Sequence, residues 1–198
     1  PSKYTSDESL DDARECARLL GCRHDVISIA PGVSAFDEAL AEAFKDTKPG
    51  LAEENIQARL RMVALMALSN KFGPMLLTTG NKSEMSVGYA TLYGDMSGGY
   101  NVLKDAYKTT VFALSKWRNR VRPEGALGPD GPVMPANVIT KPPTAELKPG
   151  QTDEASLGPY KALDDILYCL VEKEMPVPDV VESASISQAT FPFPRIWP

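Results

Sequence analysis

The chain has 198 residues, 43% of them hydrophobic and 24% charged, enough for one ordinary core, so a single domain is the default expectation. Its net charge of -5 excludes a general binder of nucleic acid or of an anionic membrane surface, which would need basic clustering; an anionic ligand has to be met locally. No apolar run approaches the roughly 20 residues of a membrane span and no stretch is ordered like a signal peptide; the three cysteines, Cys16, Cys22 and Cys169, have no metal-type spacing, so the expected setting is a reducing cytoplasm.

The first predicted element is an amphipathic helix. Ser6, Asp7, Glu8 and Ser9 supply a cap and first-turn acids, Leu10, Ala13, Ala17 and Leu20 recur at helical spacing, and Gly21 ends the run. His24–Ile29 is short and β-branched and reads as a strand, with Val26 to Ile29 at its centre. Val33–Phe44 reads as a helix with Phe36, Leu40 and Phe44 on one side, and Lys48-Pro49-Gly50 as a turn. Glu53–Asn70 is the clearest helix, with Ile56, Leu60, Val63 and Ala67 on one face and Gly73 just beyond. Met75–Thr78 is the next strand, and Thr110–Arg118 a further helix carrying Val111, Leu114 and Trp117. Pro and Gly crowd residues 123–149, which predicts a functional or mobile loop without long regular structure. A last helix is expected over Pro159–Glu174, followed from residue 176 by an irregular tail. Alternating strands and helices favour an α/β fold, a parallel sheet with helices on both faces.

Met75–Lys108 carries the chemistry. A strand ends in Thr78-Thr79-Gly80-Asn81 and a helix start follows, which turns backbone N–H groups toward a phosphate or ribose. Glu84, Asp95 and Lys108 come next. By residue type alone Glu84 is a metal-side carboxylate or a first-turn helix acid, Lys108 an anion contact or a solvated charge, and Asp95 a ribose partner or a turn residue. Tyr89 and Tyr93, four apart, are placed on one helical face, either stacking on a ring or in the core; Arg59 and Arg61 are placed on different sides of their helix, with surface pairing the plain reading of Arg61. The single histidine, His24, has no catalytic partner.

Thr79-Gly80-Asn81-Lys82-Ser83-Glu84, Tyr93-Gly94-Asp95-Met96-Ser97-Gly98-Gly99 and Lys108 closely resemble the segments of NAD synthetase. The resemblance extends upstream to Asn55-Ile56-Gln57-Ala58-Arg59-Leu60-Arg61-Met62, and downstream to Lys141-Pro142-Pro143-Thr144-Ala145-Glu146-Leu147, Gln151-Thr152-Asp153-Glu154 and Tyr160 with Asp164-Asp165. It covers residues 1–175 as one domain and is most like the synthetase half of the bacterial glutamine-dependent form. It implies an adenine nucleotide alpha-hydrolase-like fold, an N-type ATP pyrophosphatase, here incomplete. The implied reaction is ATP- and Mg²⁺-dependent amidation of deamido-NAD through an adenylated intermediate. In that scheme Thr79, Lys108 and Thr144 bind ATP, Glu84 holds the metal, and Arg59, Glu84, Tyr89 and Asp95 bind deamido-NAD.

Implied partners are ammonia, a glutaminase domain in the full-length protein and a second copy in a homodimer, with Glu53–Asn70 the contributing helix. The family's SGGxDS phosphate loop would precede Pro1, and nothing in Ser183–Pro198 resembles its basic closing segment. These 198 residues alone are therefore expected to lack NAD synthesis. The rival readings are another adenylating pyrophosphatase, of the GMP synthetase or asparagine synthetase kind, and a truncated remnant without chemistry.

Overall fold

The computed structural model of the protein describes residues 1–183; the rest of the expected tail, residues 184–198, where a basic closing segment is not expected, lies outside them. Helix α1 (Asp7–Leu20) is capped as its sequence predicts: Ser6 Oγ accepts from Ser9 N, and Gly21, at φ 70°, turns its N–H back onto the last carbonyls. Helix α2 (Ala30–Leu40) begins and ends earlier than expected, with Pro31 in its first turn where no N–H is needed. Helix α3 (Leu51–Phe72) is the longest of the described elements; Glu53 closes its start by accepting from Gly50 N at 2.7 Å.

The buried residues of α3 are Gln57 and Ala58, not the face through Val63 and Ala67 that the spacing predicts. Leu51, Val63, Leu65 and Phe72 are all exposed; a helix apolar on most sides has no single stripe for periodicity to find.

The expected strand at Val26–Ile29 does not form. Strand propensity needs a ladder partner. Here the only backbone bond recorded for residues 24–29 as donor is Ile29 N to Pro1 O, at 3.0 Å, and Val26 and Ile27 stand exposed. The described sheet is a parallel pair, β1 (Leu77–Thr78) and β2 (Tyr100–Asn101), with Leu77 opposite Tyr100 and Thr78 opposite Asn101. Gly98 lets the returning chain pass close to β1: a Cβ there would lie 2.7 Å from Thr78 Cγ2 and 2.9 Å from Leu76 O.

Between the strands sits α4 (Lys82–Ser86), and after them α5 (Lys108–Arg118). The Pro/Gly segment folds over the end of α5, where Arg118 donates to the carbonyls of Leu127 and Gly131 and the Asn119 side chain bonds Val133 and Met134. Its one helical piece is α6 (Ala136–Thr140). Then come α7 (Asp153–Leu157) and α8 (Tyr160–Leu167). The expected single helix to Glu174 instead widens after Leu167 into a π-helical turn, Tyr168–Glu172. The start of the expected irregular tail is helical: α9 covers Val177–Ser183. Leu157, Tyr160, Leu163 and Leu167 form the core cluster, with Val87, Tyr89 and Tyr107 packed against it. Among the described residues no helix is long and apolar enough to cross a membrane.

Candidate functional site

A cavity of about 590 Å³ opens where β1 ends. Helix α4 starts at its edge because Asn81 and Glu84 form a reciprocal cap: Asn81 Oδ1 accepts from Glu84 N at 3.0 Å, and Glu84 Oε2 accepts from Asn81 N at 3.2 Å. The other oxygen of Glu84 faces Lys108, the first residue of α5, whose Nζ lies 2.8 Å away. Both side chains are only 18% exposed, so this pair is far less screened than a surface bridge. Lys108 Nζ also stands 5.2 Å from the centre of the Tyr160 ring, within cation–π range.

Thr79, Glu84, Tyr89, Asp95, Lys108 and Thr144 all line this one cavity. Asp95 faces the open cavity yet is walled by protein, and that burial pushes its carboxyl above the ordinary value; bonds from Thr91 N and neighbouring amides work against the shift, and the charge of Glu84 adds to it. Thr91 N donates to Asp95 Oδ1 at 2.8 Å and fixes the loop. Arg59 is not brought here. It is exposed and donates from Nε to Leu92 O at 3.2 Å.

Two pairings read from spacing are corrected. Tyr89 and Tyr93 share no helical face because α4 ends at Ser86; Tyr89 lines the cavity, whereas Tyr93, at φ 59°, is 77% exposed. Arg61 is no surface ion pair: it is partly buried and donates to Ser2 Oγ at 3.4 Å.

Sequence reasoning gave no role to Lys141 and Asp153, which also line the cavity. Asp153 is buried and accepts from Tyr160 Oη at 2.8 Å and Tyr89 Oη at 3.3 Å. Burial is the first cause that raises the Tyr89 phenol, to about 12, and that raises Tyr160 as well, with the charge of Asp153 next; both phenols stay protonated as donors at neutral pH. Lys141 Nζ bonds Ser6 Oγ at 2.9 Å, Ser9 Oγ at 3.1 Å and Glu146 Oε1 at 3.1 Å. Glu146 in turn accepts from Ser6 N and Oγ and Ser9 Oγ. The segment bearing Thr144 is thus moored to the start of α1. Both residues lay inside the quoted motif segments, but a letter in a motif does not say that its side chain is buried.

Among the described residues no group of three or more His, Cys, Asp and Glu could hold a metal ion by itself. Of the three acids that line the cavity, Glu84, Asp95 and Asp153, the last is taken up by the two phenols, and the first two fit a hard cation of the magnesium type. Such an ion takes one or two carboxylates and completes its shell with phosphate and water, and it would relieve the like-charge interaction between the two acids.

A family profile for NAD synthase matches residues 1–192. The glutamine-dependent NAD(+) synthetase of Rhodobacter capsulatus is 54% identical over 190 residues, 96% of this chain and 34% of that protein. Among solved structures, glutamine-dependent NAD+ synthetase from Acinetobacter baumannii in complex with ADP aligns with a TM-score of 0.66 and 43% identity, over 92% of this chain and 31% of that one. NMN synthetase from Francisella tularensis aligns with a TM-score of 0.73 and 30% identity, over 92% of this chain and 68% of that one. The chain spans about a third of the length of the curated relatives it matches.

Proposed function

The chain belongs to the NAD synthase family, and from that premise we propose that the protein carrying it makes NAD by ATP-dependent amidation of deamido-NAD. The observation that carries this reading is the meeting of Thr79, Glu84, Asp95, Lys108 and Thr144 around one cavity at the end of a parallel strand, where α/β folds take their ligands.

A carboxylate oxygen of deamido-NAD attacks the α-phosphorus of ATP and pyrophosphate leaves. Ammonia then attacks the acyl carbon, AMP departs and the amine gives up a proton. Lys108, Thr79 and Thr144 hold the nucleotide's phosphates, while Tyr89 and Asp95 receive deamido-NAD and Arg59 meets its part outside the cavity. Glu84, with Asp95 beside it, would hold Mg²⁺, which neutralises charge on the departing pyrophosphate. The substrate is its own nucleophile, so these residues act by positioning and charge placement. Ammonia comes from glutamine through a separate glutaminase domain, a reading supported by the name of the 54%-identical relative. The working form is a homodimer, supported by the exposed Leu51, Val63, Leu65 and Phe72 of α3.

The test is an assay of the complete protein with ATP, Mg²⁺ and deamido-NAD, with either ammonium or glutamine as nitrogen donor, following NAD, AMP and pyrophosphate. NAD formed with both donors is the expected result; pyrophosphate without NAD would sink the amidation step. A mononucleotide acceptor is the second reading, favoured by the likeness to NMN synthetase, and nicotinate mononucleotide in the same assay decides it.

A further inference from the structure

Helix α5 begins without help from its own cap residue. Tyr107 occupies that position and makes no side-chain bond to the helix, although the first N–H groups of a helix need partners. The partners come from two other helices. Lys108 N donates to Ser83 Oγ of α4 at 2.8 Å, and Thr109 N donates to Asp164 Oδ2 of α8 at 2.9 Å. Asp164 also accepts from Thr109 Oγ1 at 2.7 Å and, through Oδ1, from Ser83 Oγ.

Asp164 is 5% exposed and Ser83 is fully buried. A carboxylate this deep is costly unless its oxygens are satisfied, and here neutral donors satisfy them while the positive end of α5 faces the charge. The arrangement has a consequence one residue away. Ser83 is followed by Glu84 and Thr109 is preceded by Lys108, so the same knot fixes the backbone beneath both members of the 2.8 Å pair. One turn earlier on α8, Tyr160 places its ring under the Lys108 ammonium.

We propose that Asp164 is a positioning residue for Lys108: an anionic cap supplied by α8 that sets where the lysine presents its charge to the nucleotide's phosphates. The inference rests on the ATP reading of Lys108 given above. Asp164 touches no substrate. It acts through Ser83 and the first two amides of α5.

The test compares Asp164→Asn, Thr109→Ser, Lys108→Ala and the Lys108→Ala/Asp164→Asn double variant of the complete protein, measuring KM for ATP and for deamido-NAD separately. The Asn variant keeps shape but has one acceptor oxygen, so it cannot accept from both Ser83 and Thr109 and turns an NH₂ donor toward one of them. It is expected to raise KM for ATP roughly tenfold while KM for deamido-NAD stays within about twofold, since small misplacement of a binding group is costly. Thr109→Ser keeps both donors and should behave as wild type. In the Lys108→Ala background the Asn change should add little, because residues that act through one another are not additive.

Equal changes in both KM values, or full additivity with Lys108→Ala, would reduce Asp164 to a structural residue and overturn the inference. If Lys108→Ala raises KM for ATP and Asp164→Asn does not, the positioning role alone falls. If Lys108→Ala leaves KM for ATP unchanged, the ATP reading of Lys108 falls and takes the inference with it. Should Asp164→Asn not accumulate, Ser83→Ala removes the oxygen between Asp164 and Lys108 N and carries the same expectation.

Discussion

Two lysine–glutamate pairs each bring a lysine to the same cavity and are held in different ways. On the floor, Glu84 and Lys108 stand in the first turns of α4 and α5, and the backbone beneath them is tied by Ser83, Thr109 and Asp164. In the roof, Lys141 and Glu146 belong to the Pro-rich segment and are moored to α1 through the hydroxyls of Ser6 and Ser9. The floor is set by helix ends, and its charges are placed before any ligand arrives. The roof is held mainly by side-chain bonds, helped by backbone donors from Ser6 N to Glu146 and from Asp153 N to Pro143 O, and Glu146 sits at φ 50°, in the left-handed region that non-glycine residues avoid. Helix ends place the charge of the floor, and a hydrogen-bonded mooring to α1 places that of the roof.

The largest effect is expected from Glu84→Ala. From the metal-holding role proposed for it, its loss should lower kcat by roughly 100- to 1000-fold, with little change in KM for deamido-NAD; steady-state assays of the complete protein at saturating ATP and Mg²⁺ check it. Unchanged turnover would remove Glu84 from the chemistry and erase the distinction between floor and roof.

Gly98→Ala tests the floor's foundation. Its methyl would sit 2.7 Å from Thr78 Cγ2 and 2.9 Å from Leu76 O, so the approach to β1 must open, at about 1–3 kcal/mol of stability. Denaturant unfolding measures this, and a shift within error would mean that the strand pair yields without cost.

The smallest effect falls on the roof. Glu146→Gln should raise KM for ATP roughly tenfold, the scale of one charge-assisted hydrogen bond, and leave kcat at saturating ATP close to wild type. A turnover loss as deep as that of Glu84→Ala would make the two pairs equivalent. Acid sharpens the same point. Burial works to raise the Glu146 carboxyl, but bonds from Ser6, Lys141 and Ser9 outweigh it and hold the group below its ordinary 4.5. A carboxyl depressed by folding stabilises fully above its unfolded pKa and loses that contribution as pH falls through the folded value. The gap in melting temperature between wild type and Glu146→Gln should be flat above about pH 5.5 and close progressively below 4.5.

The floor was legible in the sequence because short-range chemistry makes it. Asn81 and Glu84, three residues apart, announce a capped helix start, and Lys108 opens the next helix. What hid was long-range. Asp164 reads as one of two adjacent acids until Ser83, 81 residues away, is seen to donate to it. Val26 and Ile27 have strand-like chemistry but no strand to pair with, and so remain exposed coil. Arg59 belongs to a recognisable segment, yet nothing in that segment told that its guanidinium would reach the Leu92 carbonyl and stay outside the cavity.

The mooring of the roof also imposes an order in time. Ser6 and Ser9 lie 140 and 137 positions from Glu146, and Asp12 lies 125 from Asn137, whose amide it accepts. On a ribosome adding roughly 5–20 residues per second, α1 waits on the order of ten seconds before its partners emerge. Contacts of such separation close late, since loop entropy must be overcome before they gain anything. The floor is no earlier: Asp164, whose carboxylate caps α5, lies beyond Glu146 in the chain, so both halves of the cavity are completed only after residue 164 has been made.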